Sequence, residues 1–80
     1  MTRGEAQQVI ARFLMEKVRA DHYPSTTQMG MLEQLLTPEM IPDYLDILFD
    51  KVAEDNVPSI PMLHRIQQVA MRLPATEQRR

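Results

Sequence analysis

The chain has no cysteine and no tryptophan, and only two glycines among its 80 residues. Each shortage excludes something. Without thiols no disulfide can staple a small fold and no thiolate metal site can form, which fits a reducing compartment. Gly4 and Gly30 stand alone, so no glycine-rich phosphate loop exists. No apolar run approaches the ~18 residues of a membrane span. No signal-peptide core follows Met1, and a cytoplasmic address is the default expectation. A strong excess of positive charge is also missing: nine basic and eleven acidic side chains leave a net charge of −2. Nucleic-acid binding usually leaves a basic footprint, so nucleic acid is not the favoured partner.

What is present is a stretch that occurs twice. Lys17-Val-Arg-Ala-Asp-His-Tyr-Pro-Ser25 returns 34 residues later as Lys51-Val-Ala-Glu-Asp-Asn-Val-Pro-Ser59. Laid over one another, 10–36 and 44–70 share seven identities: Leu14/Leu48, Lys17/Lys51, Val18/Val52, Asp21/Asp55, Pro24/Pro58, Ser25/Ser59 and Gln34/Gln68. Ordinary composition gives roughly two by chance. Phe13/Ile47, Met15/Phe49, Met29/Leu63, Leu32/Ile66 and Leu35/Val69 continue the apolar register. The period equals that of tetratricopeptide repeats. Their Trp, Gly-Tyr and Ala-Phe signature is absent, so that family is not assigned.

The repeated stretch reads as a helix end, a corner and a helix start. Pro24 and Pro58 disfavour helix in the residue before them. Ser25 and Ser59 follow as N-caps. Gln28, three residues after Ser25, is expected to complete a capping box. Pro61 falls in the first turn of its helix, where a missing donor costs little.

In chain order, residues 1–4 are expected to fray. A first helix runs from about Glu5 to Ala20 with Ala6, Ile10, Phe13, Leu14 and Val18 on its apolar face. A second spans about 26–36, with Met29, Leu32, Leu35 and Leu36 inward. Thr37-Pro38-Glu39 is another start signal. Pro42 would forfeit a hydrogen bond inside one continuous helix, so a short turn at 38–41 is expected. The third helix then runs from Pro42 to about Asp55, with Tyr44, Leu45, Ile47, Leu48, Phe49 and Val52 as its core face. A fourth runs from about Ile60 to Leu73, burying Leu63, Ile66, Val69 and Ala70, and Pro74 ends it. The tail 75–80 is polar and expected to be disordered.

The fold class is all-α: a small four-helix array of two repeated helical hairpins, units about 8–36 and 42–70, with approximate internal two-fold symmetry. It is read as a single domain ordered over about 5–73. A core of this size rarely supplies more than ~3–5 kcal/mol.

Four carboxylates give the sharpest surface signal. Asp43, Asp46, Asp50 and Glu54 fall within a wedge about 80° wide at 100° per residue. Like charges so spaced cost a few tenths of a kcal/mol per pair. The equivalent positions of the first helix are Val9, Arg12, Glu16 and Ala20, so the repeat does not require the stripe. A solvated face neutralised by Arg65 or Arg72 is the plainer reading, and a docking face for a basic partner the functional one. A calcium loop needs alternating oxygens and a glycine, and a carboxylate-bundle site needs a Glu-x-x-His pair; neither pattern is here, so no metal or cofactor is expected.

Other candidates have bland explanations. His22 is matched by Asn56 and His64 by Gly30, so neither place demands an imidazole. Ser25 and Ser59 serve as caps rather than nucleophiles, and catalysis is the least supported class. Lys17 and Lys51 each have an Asp four residues on, which reads as a stem laid over the core edge with a tethered head. Met15, Met31 and Phe49, expected to be partly exposed, form a candidate homodimer seam. The sequence therefore favours a non-catalytic protein–protein interaction module. The alternative is a small DNA-binding regulator using a helix–corner–helix unit, and a third is an acidic mimic of nucleic acid.

Overall fold

The computed structural model describes residues 1–54 and 59–74. It is all-helical, with no strand among the described residues. Four α-helices follow one another: α1 (Arg3–Ala20), α2 (Thr26–Leu35), α3 (Ile41–Glu54) and α4 (Ile60–Ala70), with a 3₁₀ turn at Pro38–Met40. The chain divides into two compact units, Met1–Thr37 and Pro38–Arg80. The expected pair Lys51–Asp55, the Pro58 corner and the tail lie outside the described residues.

In the first unit α1 packs against α2. Its start corrects the expectation of a frayed end. Thr2 caps the helix: its hydroxyl accepts from the Glu5 N–H at 3.1 Å, and the Glu5 carboxylate accepts from the Thr2 N–H at 2.7 Å. Two of the N–H groups that every helix leaves unpaired at its start are thereby satisfied reciprocally. At the other end the Asp21 N–H donates to the Lys17 carbonyl at 3.1 Å, and the chain is extended at Asp21. Pro24 then keeps Tyr23 out of the helical region. The His22 and Tyr23 rings meet edge to face, with centroids 4.4 Å apart.

Ser25 caps α2 as expected, its Oγ accepting from Thr27 and Gln28 N–H groups at 3.1 and 3.3 Å. The reciprocal half of that capping box is not made. Gln28 Oε1 is buried without a hydrogen-bond partner, so the side chain turns away from the cap instead of reaching back to Ser25. Met29 and Leu32 are buried, together with the C-cap residue Leu36.

In the second unit α3 packs against α4 and against the 3₁₀ turn. Pro42 is the second residue of α3. The first four N–H groups of a helix have no partner within it, so the ring sits there without breaking or kinking the helix. Ile41, Tyr44, Leu45, Ile47 and Leu48 are buried on one arc. Ser59 caps α4, accepting from the Met62 N–H at 3.2 Å, with Pro61 in the first turn. The helix expected to reach Leu73 ends at Ala70. Arg72 and Leu73 N–H groups bond to Val69 and Ala70 carbonyls at 3.0 Å, so the chain tightens into a three-residue turn. Leu73 precedes Pro74 and is disfavoured from α geometry.

Burial repeats at some equivalent positions and not at others. Ala11 and Leu45, Leu14 and Leu48, and Leu32 and Ile66 are buried in both copies. Ile10 and Phe13, expected inward, are 44% and 68% exposed, whereas their equivalents Tyr44 and Ile47 are buried. Met15 and Phe49 cross over: Met15 is 7% exposed and Phe49 53%. At 100° per residue, the buried arc of α3 is rotated by about 60° relative to that of α1. Leu63, also expected inward, is 37% exposed.

Candidate interaction surfaces

The four carboxylates of α3 emerge together. Asp43, Asp46, Asp50 and Glu54 are all exposed, on the side of the helix turned away from Ile41, Tyr44, Leu45 and Leu48. Beside them runs a narrower strip of Pro42, Phe49 and Ala53, likewise exposed. The helix is held by its opposite arc, where Tyr44 and Leu48 are fully buried. That anchoring offsets the small like-charge cost of the stripe, because burying one large apolar side chain is worth about 1.5–3 kcal/mol. Glu54, Arg65 and Arg72 each take part in a hydrogen-bonding or electrostatic interaction. The arrangement is suited to receiving a surface that brings positive charge and an apolar group together.

The structure adds a surface that the sequence reading assigned to the core. On α1 the buried arc is Ala11, Leu14, Met15 and Val18, whereas Val9, Ile10 and Phe13 face outward. Both sets recur at helical spacing, and their centres are about 140° apart on the helix. The signal for it was in the sequence: α1 has more apolar residues than one stripe accommodates. Arg3 borders the outward arc on one side, Glu5 and Glu16 on the other, and Lys17 lies within it, all of them exposed.

The residues of the candidate dimer seam differ in exposure. Met31 is 50% exposed and Phe49 53%, but Met15 is buried and offers no surface to a partner. The physical reason is its angle: at 100° per residue Met15 lies beside Ala11 at the edge of the inward arc and well away from the outward one. Lys17 is exposed. An ion pair joins Glu16 Oε1 and Arg19 Nε at 3.7 Å, with both side chains more than half exposed. Such a surface pair contributes at most a few tenths of a kcal/mol. His22 and His64 are both exposed. The hydroxyls of Ser25 and Ser59 are engaged as caps.

Among the described residues no three His, Asp or Glu side chains converge into a group able to hold a metal ion. None of the described helices is long and apolar enough to cross a membrane. Comparison of the chain with protein-family models, with curated proteins and with solved structures finds no match in any of the three. The functional reading therefore stands on the chemistry of the chain's own surface.

Proposed function

We propose that this chain is a non-catalytic protein–protein interaction module that docks a basic partner surface on the acidic face of α3. One observation carries the reading: Asp43, Asp46, Asp50 and Glu54 are exposed on a single arc beside the exposed Phe49. Charges arranged in this way steer a complementary partner and fix its register, while an aromatic at the patch supplies apolar anchorage. The internal repeat of hairpins, with the approximate two-fold relation it implies, belongs to the same proposal, as does a cytoplasmic setting for this cysteine-free chain. The repeat supplies the helices, and the second copy alone bears the stripe.

The test is capture of partners from nuclease-treated host lysate by the wild-type chain and by a D43N/D46N/D50N/E54Q variant. The variant should lose the captured protein, or bind it at least tenfold more weakly, with an unchanged melting temperature. Capture that persists at full strength overturns the assignment. Material that disappears with nuclease and ignores the substitutions points instead to the DNA-binding alternative. A steep fall of duplex affinity with salt would support that alternative.

A further inference from the structure

The outward arc of α1 is apolar where a solvated helix has no need to be. Val9, Ile10 and Phe13 are 54%, 44% and 68% exposed, and exposed patches of contiguous large apolar side chains mark interaction sites. The charges around this arc decide what covers it. Helix α1 carries four basic side chains, Arg3, Arg12, Lys17 and Arg19, against the acidic Glu5 and Glu16. At 100° per residue Arg3 lies just beyond Ile10 and Lys17 between Phe13 and Ile10, while Glu16 and Glu5 lie just beyond Val9 on the other side. On α3 the proportions invert: four carboxylates stand against the single Lys51, and they border the strip of Pro42, Phe49 and Ala53 on one side. Each face is an exposed apolar strip that holds an aromatic; the α1 strip is basic on its Ile10 side, through Arg3 and Lys17, and acidic on its Val9 side, and the α3 strip has its carboxylates along one side.

We infer that the outward face of α1 docks on the acidic outward face of α3 in a second copy of this chain. The inference rests on the docking reading of the acidic face and names its basic partner. Phe13 and Phe49 lie in the apolar strips, and Arg3 and Lys17 meet the aspartates. Aromatic and Arg side chains at such centres carry a disproportionate share of binding energy. The contact is heterologous, so each copy offers one α1 face and one α3 face.

Phe13 and Phe49 are exposed, so Phe13→Asp and Phe49→Asp should leave helix content unchanged by circular dichroism. Sedimentation of the full chain over a concentration series at ~50 mM salt, where charge is little screened, should show self-association. Either variant alone should associate at least tenfold more weakly. An equimolar mixture should regain association, because Phe13→Asp keeps an intact α3 face and Phe49→Asp an intact α1 face. A seam made of two α1 faces or of two α3 faces gives no such rescue. Failure of the mixture to associate overturns the inference. If either variant loses helicity, the charge-reversed pair R3E/K17E and D46K/D50K replaces it: each alone is weakened, and the mixture restores both contacts. A wild-type chain that is monomeric throughout, yet captures a basic protein on its acidic face, overturns this inference and leaves the docking function standing.

Discussion

Helices α1 and α3 cover stretches of sequence that match at an offset of 34 residues, yet they turn different sides inward. Helix α3 buries Ile41, Tyr44, Leu45, Ile47 and Leu48 and sends its charges outward as a block. Helix α1 buries Ala11, Leu14, Met15 and Val18, and leaves a second apolar arc outside. They also begin differently, one from the Thr2–Glu5 capping box and the other from a 3₁₀ turn followed by Pro42 in its first turn. The comparison teaches that matching sequence positions need not share burial. A cap acts on its immediate neighbours in the chain. A buried face depends on the opposing surface.

The sharpest way to break this comparison is to truncate equivalent positions. Tyr44→Ala should cost about 3–5 kcal/mol, as for other buried aromatics. That is comparable to the whole stability of a core this small and would unfold the chain. Ile10→Ala, at the equivalent place on an exposed arc, should cost less than about 1 kcal/mol. One turn further on, the order should reverse. Met15→Ala should cost about 2–5 kcal/mol and Phe49→Ala less than about 1. Urea denaturation of the four variants at dilute protein checks this crossover. Equal losses at the two members of either pair would mean that the buried arcs coincide after all.

A smaller effect of opposite sign is expected within α2. Gly30 lies inside the helix, and a Cβ added there meets no heavy atom within 4 Å. Gly30→Ala should therefore stabilise the chain by about 0.5–1 kcal/mol through helix propensity, read as a higher urea midpoint with unchanged slope. A lower midpoint would show that the open space is needed.

The smallest effect concerns the start of α1. Its Glu5 pKa is lowered because the carboxylate accepts the Thr2 N–H, and secondarily through the Thr2 hydroxyl. A folded-state pKa below the unfolded value contributes stability that is present above about pH 4.3, the ordinary glutamate value, and is lost as pH falls through the lower folded pKa. Amide exchange in the first turn should accelerate in that acid window, and Thr2→Ala, which removes the hydroxyl but keeps the backbone donor, should raise the Glu5 pKa only part of the way to its ordinary range. An unaltered titration in Thr2→Ala would remove the hydroxyl as a contributing cause.

Much of this architecture was legible in advance. Pro24, Ser25, Ser59 and Pro61 placed the corners and starts, because proline sterics and hydroxyl caps operate over three or four residues. The Thr2-x-x-Glu5 box also stands in the sequence but was missed, residues 1–4 being expected to fray. The Gln28 half of the second box failed because the glutamine side chain took a buried course with its carbonyl unpaired. The acidic arc was read correctly as one exposed face, since four charges on one side of a helix leave few ways to bury them. The seam was misjudged at Met15 because a methionine at the edge of an apolar arc fits either side of it.

The sequence by itself determined which side chains share a face, where the described helices start, and that no thiol chemistry is available. Those properties follow from local geometry and composition. Only the tertiary structure decided that Met15 and Tyr44 go inward while Ile10, Phe13 and Phe49 stay out. Periodicity fixes angles about a helix axis, but burial depends on what lies across from each angle, and residues distant in the chain supply that.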